Sequence, residues 1–238
     1  MGLRDLLAFL TTLPAGGGSL EGAASSFYAA PAVGLVVGSI VAAAAWAASY
    51  RPALGPAVVV ALHALLTGTL NLDGLMDYFD VVGSGLRGQE ALRVLKDPHK
   101  GAFAVAAAVV VLALRASAAY YLLRRPAVIV ASYVAAYEGG YLAAAVGREE
   151  PYEGLARRFS EESRRAPSIA KNLALTAAIY AALALLSGPR SLLPLLALAA
   201  PYALVADAER RLGFVNGDVI GASIELAGAI AMVVGALA

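Results

Sequence analysis

Long apolar runs alternate along this chain with short polar segments, at intervals that suit membrane crossings better than a core folded in water. A helix needs about 20 residues to cross a hydrocarbon layer roughly 30 Å thick. By that measure the pattern predicts seven spans, at about Tyr28 to Ala48, Ala53 to Leu70, Gly101 to Leu123, Pro126 to Val146, Ile169 to Leu186, Ser191 to Ala206, and Asp218 to the end. Ahead of them, Leu3 to Leu13 is too short to cross and closes at Pro14 and a flexible run, Gly16-Gly17-Gly18. An amphipathic helix lying on the membrane surface is expected there. The expected fold class is therefore all-α, a polytopic transmembrane helix bundle of about seven spans plus a short N-terminal interfacial helix. No internal repeat or linker divides it, so residues 1–238 read as a single integral membrane domain.

Composition strengthens this picture. Hydrophobic residues make up 60% of the chain and charged residues 15%, with a mean hydropathy of +0.73. A soluble domain carries about 25% charged residues. The absence of cysteine excludes disulfides and thiolate metal sites, and a net charge of +1 gives no support for nucleic-acid binding. No signal peptide is expected, because Asp5 interrupts the first apolar run and no cleavage site follows. Seven spans sort the polar connections into two sets, one with 13 lysines and arginines and the other with four. The basic excess marks the cytoplasmic side, here the side of the N-terminal segment, the acidic stretch after Leu70, the loop around Arg157 and the turn at 207–217. A multi-pass protein of the cell (plasma) membrane with its polar motifs facing the cytoplasm follows as an expectation.

The candidate chemistry lies in those motifs. In Leu70-Asn-Leu-Asp-Gly-Leu-Met-Asp-Tyr-Phe-Asp80, three aspartates stand at spacings of four and three, so a helix would carry Asp73, Asp77 and Asp80 on one face. Like charges so arranged destabilise a helix unless a cation sits among them, and a hard divalent ion such as Mg2+ fits carboxylate oxygens. Lys96-Asp97-Pro98-His99-Lys100-Gly101 then supplies a further carboxylate, two ammonium groups and one of only two histidines. Carboxylates for magnesium beside cations for phosphate suit phosphoryl or pyrophosphate chemistry. Near the C-terminus, Asn216-Gly217-Asp218 reads as a turn and helix cap, and Gly221 would admit another helix closely. Glu225 lies two turns into an apolar span, where a carboxylate is a functional candidate. Glu138 and Arg115, also inside spans, are expected to pair with each other, and His63 is expected as a hydrogen-bonding core residue.

Taken together, these blocks resemble the adenosylcobinamide-GDP ribazoletransferase family, also called cobalamin-5′-phosphate synthase. Asn71 to Asp80 is similar to its His-Leu-Asp-Gly-Leu-Ala-Asp-x-x-Asp block, Leu95 to Gly101 to a Met-Arg-Asp-x-x-x-Gly block, and Asn216 to Leu226 to a Thr-Gly-Asp-Thr-Leu-Gly-Ala-x-x-Glu-Leu block. Phe9-Leu-Thr-Thr-Leu-Pro14 and Ala30-Pro31-Ala-Val-Gly34 resemble its opening motifs. The chain departs from the pattern at Asn71, Val81 and Lys96, where the family has His, Gly and Arg. The resemblance implies a Mg2+-dependent, phosphotransferase-type membrane enzyme that joins α-ribazole or its 5′-phosphate to adenosylcobinamide-GDP and releases GMP, the last assembly step of cobalamin synthesis. It implies Asp73, Asp77 and Asp80 as metal ligands, with Asp73 also catalytic, and Asp97 or Asp218 as the group that orients or deprotonates the acceptor hydroxyl. Lys96 and Lys100 would hold nucleotide phosphates, with His99, Asn216 and Glu225 as further substrate-binding candidates. Expected partners are the two substrates and membrane lipid, with a homo-oligomer left open. Two alternatives compete: a CDP-alcohol-phosphotransferase-like lipid enzyme, against which Asp77 stands near the position of that family's Arg, and an ion-coupled transporter, which lacks the expected repeat.

Overall fold

The structure, a computed structural model, describes residues 2–16 and 18–237, so Gly17 of the glycine run and the last residue of the expected seventh span lie outside it. In chain order the helices are α1 (Gly2–Leu10), α2 (Leu20–Ser25), α3 (Ala30–Ala48), α4 (Gly55–Thr67), α5 (Leu70–Ser84) and α6 (Gly88–Leu95). There follow α7 (Ala102–Leu122), α8 (Pro126–Val146), α9 (Leu155–Ser163), α10 (Ala166–Ser187), α11 (Ala199–Arg211) and α12 (Gly217–Ala236). Among the described residues there is no strand, only an isolated bridge between Glu149 and Val215. Helix is the expected outcome, because an apolar segment in lipid must satisfy its own N–H and C=O groups. Six helical segments are long and apolar enough to cross a membrane, and a seventh crossing is reached if α4 and α5 count as one bent pair. The chain is a multi-pass membrane protein.

Helix α8 is the axis of the bundle, packed along α3 on one side and α12 on the other. Its composition makes this feasible: Ala, Ser and Gly surround three tyrosines, and with Glu138 as its single charged residue it is buried almost all round. Close approach comes from small residues on both sides of its contacts. A side chain at Gly38 of α3 would meet the Tyr133 Cβ at 2.8 Å, and one at Gly139 would meet the Ala227 Cβ of α12 at 2.8 Å. With no hydrophobic drive between helices in lipid, such contacts supply the packing.

Helix α1 keeps Leu3 and Arg4 exposed while Leu6 and Leu10 are buried in the protein core, and the Phe9 ring packs on Phe159 of α9 with centroids 5.2 Å apart. Three expectations need correction. The second span ends sooner than Leu70, because Gly68 and Thr69 both adopt left-handed backbone (φ 58° and 59°) and turn α5 through 93° from α4. Before Ala199 the sixth span is 3-10 helix, Pro189–Leu198, where Pro194 lacks the N–H that an α-helical turn requires. Arg115 does not pair with Glu138. It donates to Glu225 at 3.0 Å, while Glu138 accepts from Asn172 at 2.9 Å and Thr176 at 3.1 Å on α10.

Candidate active site

The site begins with the break between α4 and α5. A helix that stops in a membrane protein exposes its last carbonyls. Here Thr12, in the segment after α1, donates its amide to the Leu66 carbonyl (2.8 Å) and its hydroxyl to that of Leu65 (2.7 Å). Thr12 thus finishes α4 and frees α5 to run crosswise, while Thr11 closes α1 by bonding the Leu7 carbonyl. Non-glycine residues rarely take positive φ, so Thr69 holds strain at the point where the acidic helix starts.

Helix α5 then crosses the start of α12 almost backbone to backbone. A Cβ on Gly74 would lie 2.9 Å from both the Cα and the carbonyl oxygen of Asp218, and one on Gly221 would lie 3.1 Å from the Asn71 Cα. The expected role of Gly221 is borne out, and Gly74 plays the matching part on the other helix. The first and third sequence blocks therefore meet at one place. Asn216 caps α12, its Oδ1 accepting from the Val219 amide at 3.2 Å, and its amide nitrogen donates to Asp218 at 2.7 Å. That bond fixes the Asp218 carboxylate beside α5.

The middle block closes the site from the other side. Lys100 bonds Asp73 at 2.8 Å and also Asp77. Burial alone would pull its ammonium down, but the bonds to the two carboxylates outweigh this and raise it above the ordinary lysine range. Asp80 accepts from the Gly101 and Ala104 amides, the latter at 2.9 Å, and so caps the N-terminus of α7 from a different helix. All three carboxylates of α5 thus face the same segment, as the helical spacing predicts. They do not converge on one point. Among the described residues no group of three His, Asp or Glu side chains stands together as a metal site. The remaining donors still have the right chemistry for a hard cation: Asp73 and Asp77 share one ammonium, nearby Asp218 is held by Asn216, and all three offer only carboxylate oxygens.

Other candidates stand apart. Asp97 is exposed and accepts from the His99 amide and Nδ1, both at 2.9 Å, which holds its carboxyl below the usual aspartate range. Lys96 lies over the Tyr152 ring at 5.4 Å. Glu225 is fully buried in the bundle, accepting from His63 Nε2 and Arg115 Nη2 at 3.0 Å each. His63 is a core hydrogen-bonding residue as expected, but its partner is the conspicuous glutamate. Sequence reasoning passed over Tyr78, whose hydroxyl donates at 2.7 Å to Asp207 while Arg211 binds the same oxygen at 2.7 Å. This trio ties α5 to the end of α11. Its only signal was a tyrosine one residue after Asp77.

Comparison with known proteins identifies the family. The cobalamin-5-phosphate synthase family matches residues 2–236. The chain is similar to the adenosylcobinamide-GDP ribazoletransferase of Halorubrum lacusprofundi, 36% identical over 99% of this chain and 96% of the relative. It is also similar to those of Chlorobaculum parvum (31%, covering 94% and 91%) and Chlorobaculum tepidum (30%, covering 99% and 95%). No solved structure matches. On a match that runs essentially from end to end, the chain belongs to the cobalamin-5-phosphate synthase family.

Proposed function

We propose that this protein is a membrane transferase that joins α-ribazole, or its 5′-phosphate, to adenosylcobinamide-GDP with release of GMP, in the assembly of cobalamin. Family membership supports the reaction class. The observation that carries the reading is the meeting of Asp73, Asp77, Lys100 and Asp218 at one end of the bundle, drawn from three distant parts of the chain.

The chemistry follows from those groups. A ribose hydroxyl that is free in both acceptor forms gives its oxygen to the corrinoid-side phosphorus, the bond from that phosphorus to the GMP oxygen breaks, and the hydroxyl proton passes to a carboxylate. Asp218 is the better proton acceptor of the two candidates, because it stands beside the α5 carboxylates, whereas Asp97 is exposed and engaged by His99. Lys100, already held between two carboxylates, is placed to meet diphosphate oxygens as a compact charge. Asp73 and Asp77 are the residues that would hold magnesium, whose charge neutralises a diphosphate and its leaving group. Asp80 serves instead to fix the start of α7 and hence the Lys100 loop. The basic excess at this end supports a cytoplasmic active face in the plasma membrane.

The test is direct. Purified protein in detergent is incubated with adenosylcobinamide-GDP, magnesium and either acceptor form, and GMP is measured chromatographically. GMP release that needs the acceptor is expected; none with either form refutes the reading.

A further inference from the structure

Beside the carboxylates lies a cavity of about 310 Å³, enclosed by α1, the turn at Phe27, α5, α9 and α12. Three phenylalanines form much of its wall: Phe159 lies edge-on to Phe27 with centroids 4.7 Å apart and stacks on Phe9. Its polar side chains are Asn71, Asp73 and Asp218. Asn71 is 3% exposed, and its side-chain nitrogen has no hydrogen-bond partner. Buried polar groups are almost always paired, so an orphaned amide in the wall of a largely apolar cavity marks where a ligand supplies the acceptor.

We propose that this cavity is the pocket for the acceptor nucleoside, with its flat base among Phe9, Phe27 and Phe159 and its ribose end toward Asp73 and Asp218. The identity of the acceptor rests on the transferase reading above; the assignment of the pocket rests on the cavity.

Size and polarity both select the acceptor over the donor. Pockets for small ligands run roughly 300–1,000 Å³, and this one lies at the small end. A nucleoside fits such a space and a corrin macrocycle does not. The donor's guanine is small enough, but its edge carries several donors and acceptors that phenylalanine walls cannot satisfy. A benzimidazole-type base presents a benzene ring fused to an imidazole with a single free ring nitrogen. One amide N–H, that of Asn71, answers that nitrogen. Aromatic walls suit a flat base through offset and edge-on contacts. The position also suits the chemistry, because the two carboxylates at the polar end are those that bracket the α5–α12 crossing.

Direct binding tests this apart from turnover. In calorimetric titrations of the detergent-purified protein, Ala156→Phe, which adds a ring to the half-buried α9 wall, should weaken α-ribazole binding at least tenfold. Adenosylcobinamide-GDP binding should change less than twofold. Asn71→Leu should show the same pattern with a smaller loss, and either variant is scored only if its thermal melt matches the parent. The unmodified protein supplies an arm free of folding concerns: α-ribazole should bind at least tenfold more tightly than guanosine. Unchanged α-ribazole affinity in a folded Ala156→Phe protein, loss of donor affinity instead, or equal affinity for guanosine would each overturn the assignment. GMP release with an unaltered α-ribazole affinity in Ala156→Phe sinks the pocket and leaves the transferase reading standing. Binding weakened as expected, but with no GMP from the parent protein, sinks the transferase reading and leaves the pocket.

Discussion

Removing the Glu225 carboxylate should cost this protein several kcal/mol although it touches no part of the proposed site. Glu225 on α12 accepts from Arg115 on α7 and His63 on α4, both at 3.0 Å, and all three residues are buried. A carboxylate only accepts, so His63 donates from Nε2, and its Nδ1 has no partner. Hydrogen bonds to charged groups contribute about 1.5–3 kcal/mol each, and breaking a buried pair by removing one member costs about 3–5 kcal/mol because the other charge is stranded. Glu225→Leu should therefore lose about 3–5 kcal/mol, and Arg115→Leu a similar amount. The double variant should lose much less than the sum, since it strands neither charge. Urea titrations in detergent micelles, followed by far-ultraviolet circular dichroism, would measure all three. Side-chain hydrogen bonds between membrane helices average only about 0.6 kcal/mol. A loss below about 1 kcal/mol for either single variant, or simple additivity in the double, would show that the cluster is an ordinary polar contact and refute the reasoning.

The other expectations concern the site. Asp73→Asn should reduce GMP release at least tenfold while the melt is kept, because it removes a charge and a donor with little change in volume; near-normal turnover would make the α5 acids a solvated helix end. Lys100→Gln should raise the apparent KM for adenosylcobinamide-GDP about tenfold, as expected for a lost charge-assisted bond of roughly 1.5–3 kcal/mol, and a magnesium titration should not restore it. Gly74→Val should abolish turnover and lower the melting temperature, since its Cβ would lie 2.9 Å from Asp218 backbone atoms that cannot yield; wild-type behaviour would mean that the two helices do not cross there. A reporter active only in the cytoplasm should report when inserted at Arg87 and stay silent when fused after residue 238; the reverse would invert the proposed topology.

How much of this was legible in the sequence depends on the range of the interaction. The helices were, because each apolar run satisfies its own backbone and leaves only its ends to context. Those ends are where the reading slipped: the second span stops at Thr67 because Thr12, more than fifty residues away, caps its carbonyls. The shared face of Asp73, Asp77 and Asp80 was legible too, since helical periodicity fixes it. What the carboxylates face was not, because Lys100 and the α7 amides arrive through the fold of a loop.

The interior polar residues show the limit most clearly. Arg115, Glu138 and Glu225 all read as charges inside spans, and sequence separation gives no means of choosing partners among them. The choice is made by packing: α8 is the central helix, and Glu138 faces α10 from it, whereas Arg115 and Glu225 face each other across the α7–α12 contact. The same packing explains why Glu225, in the block with Asp218, is not at the site. Seven residues along α12 is about 10 Å, which carries a side chain from the end of the bundle into its middle. Asp218 then stands at the proposed site while Glu225 ties together the helices beneath it. One sequence block thus serves two purposes at two depths, and the glutamate's effect on turnover should run through the position of α12 and the Gly74–Asp218 crossing rather than through contact with substrate.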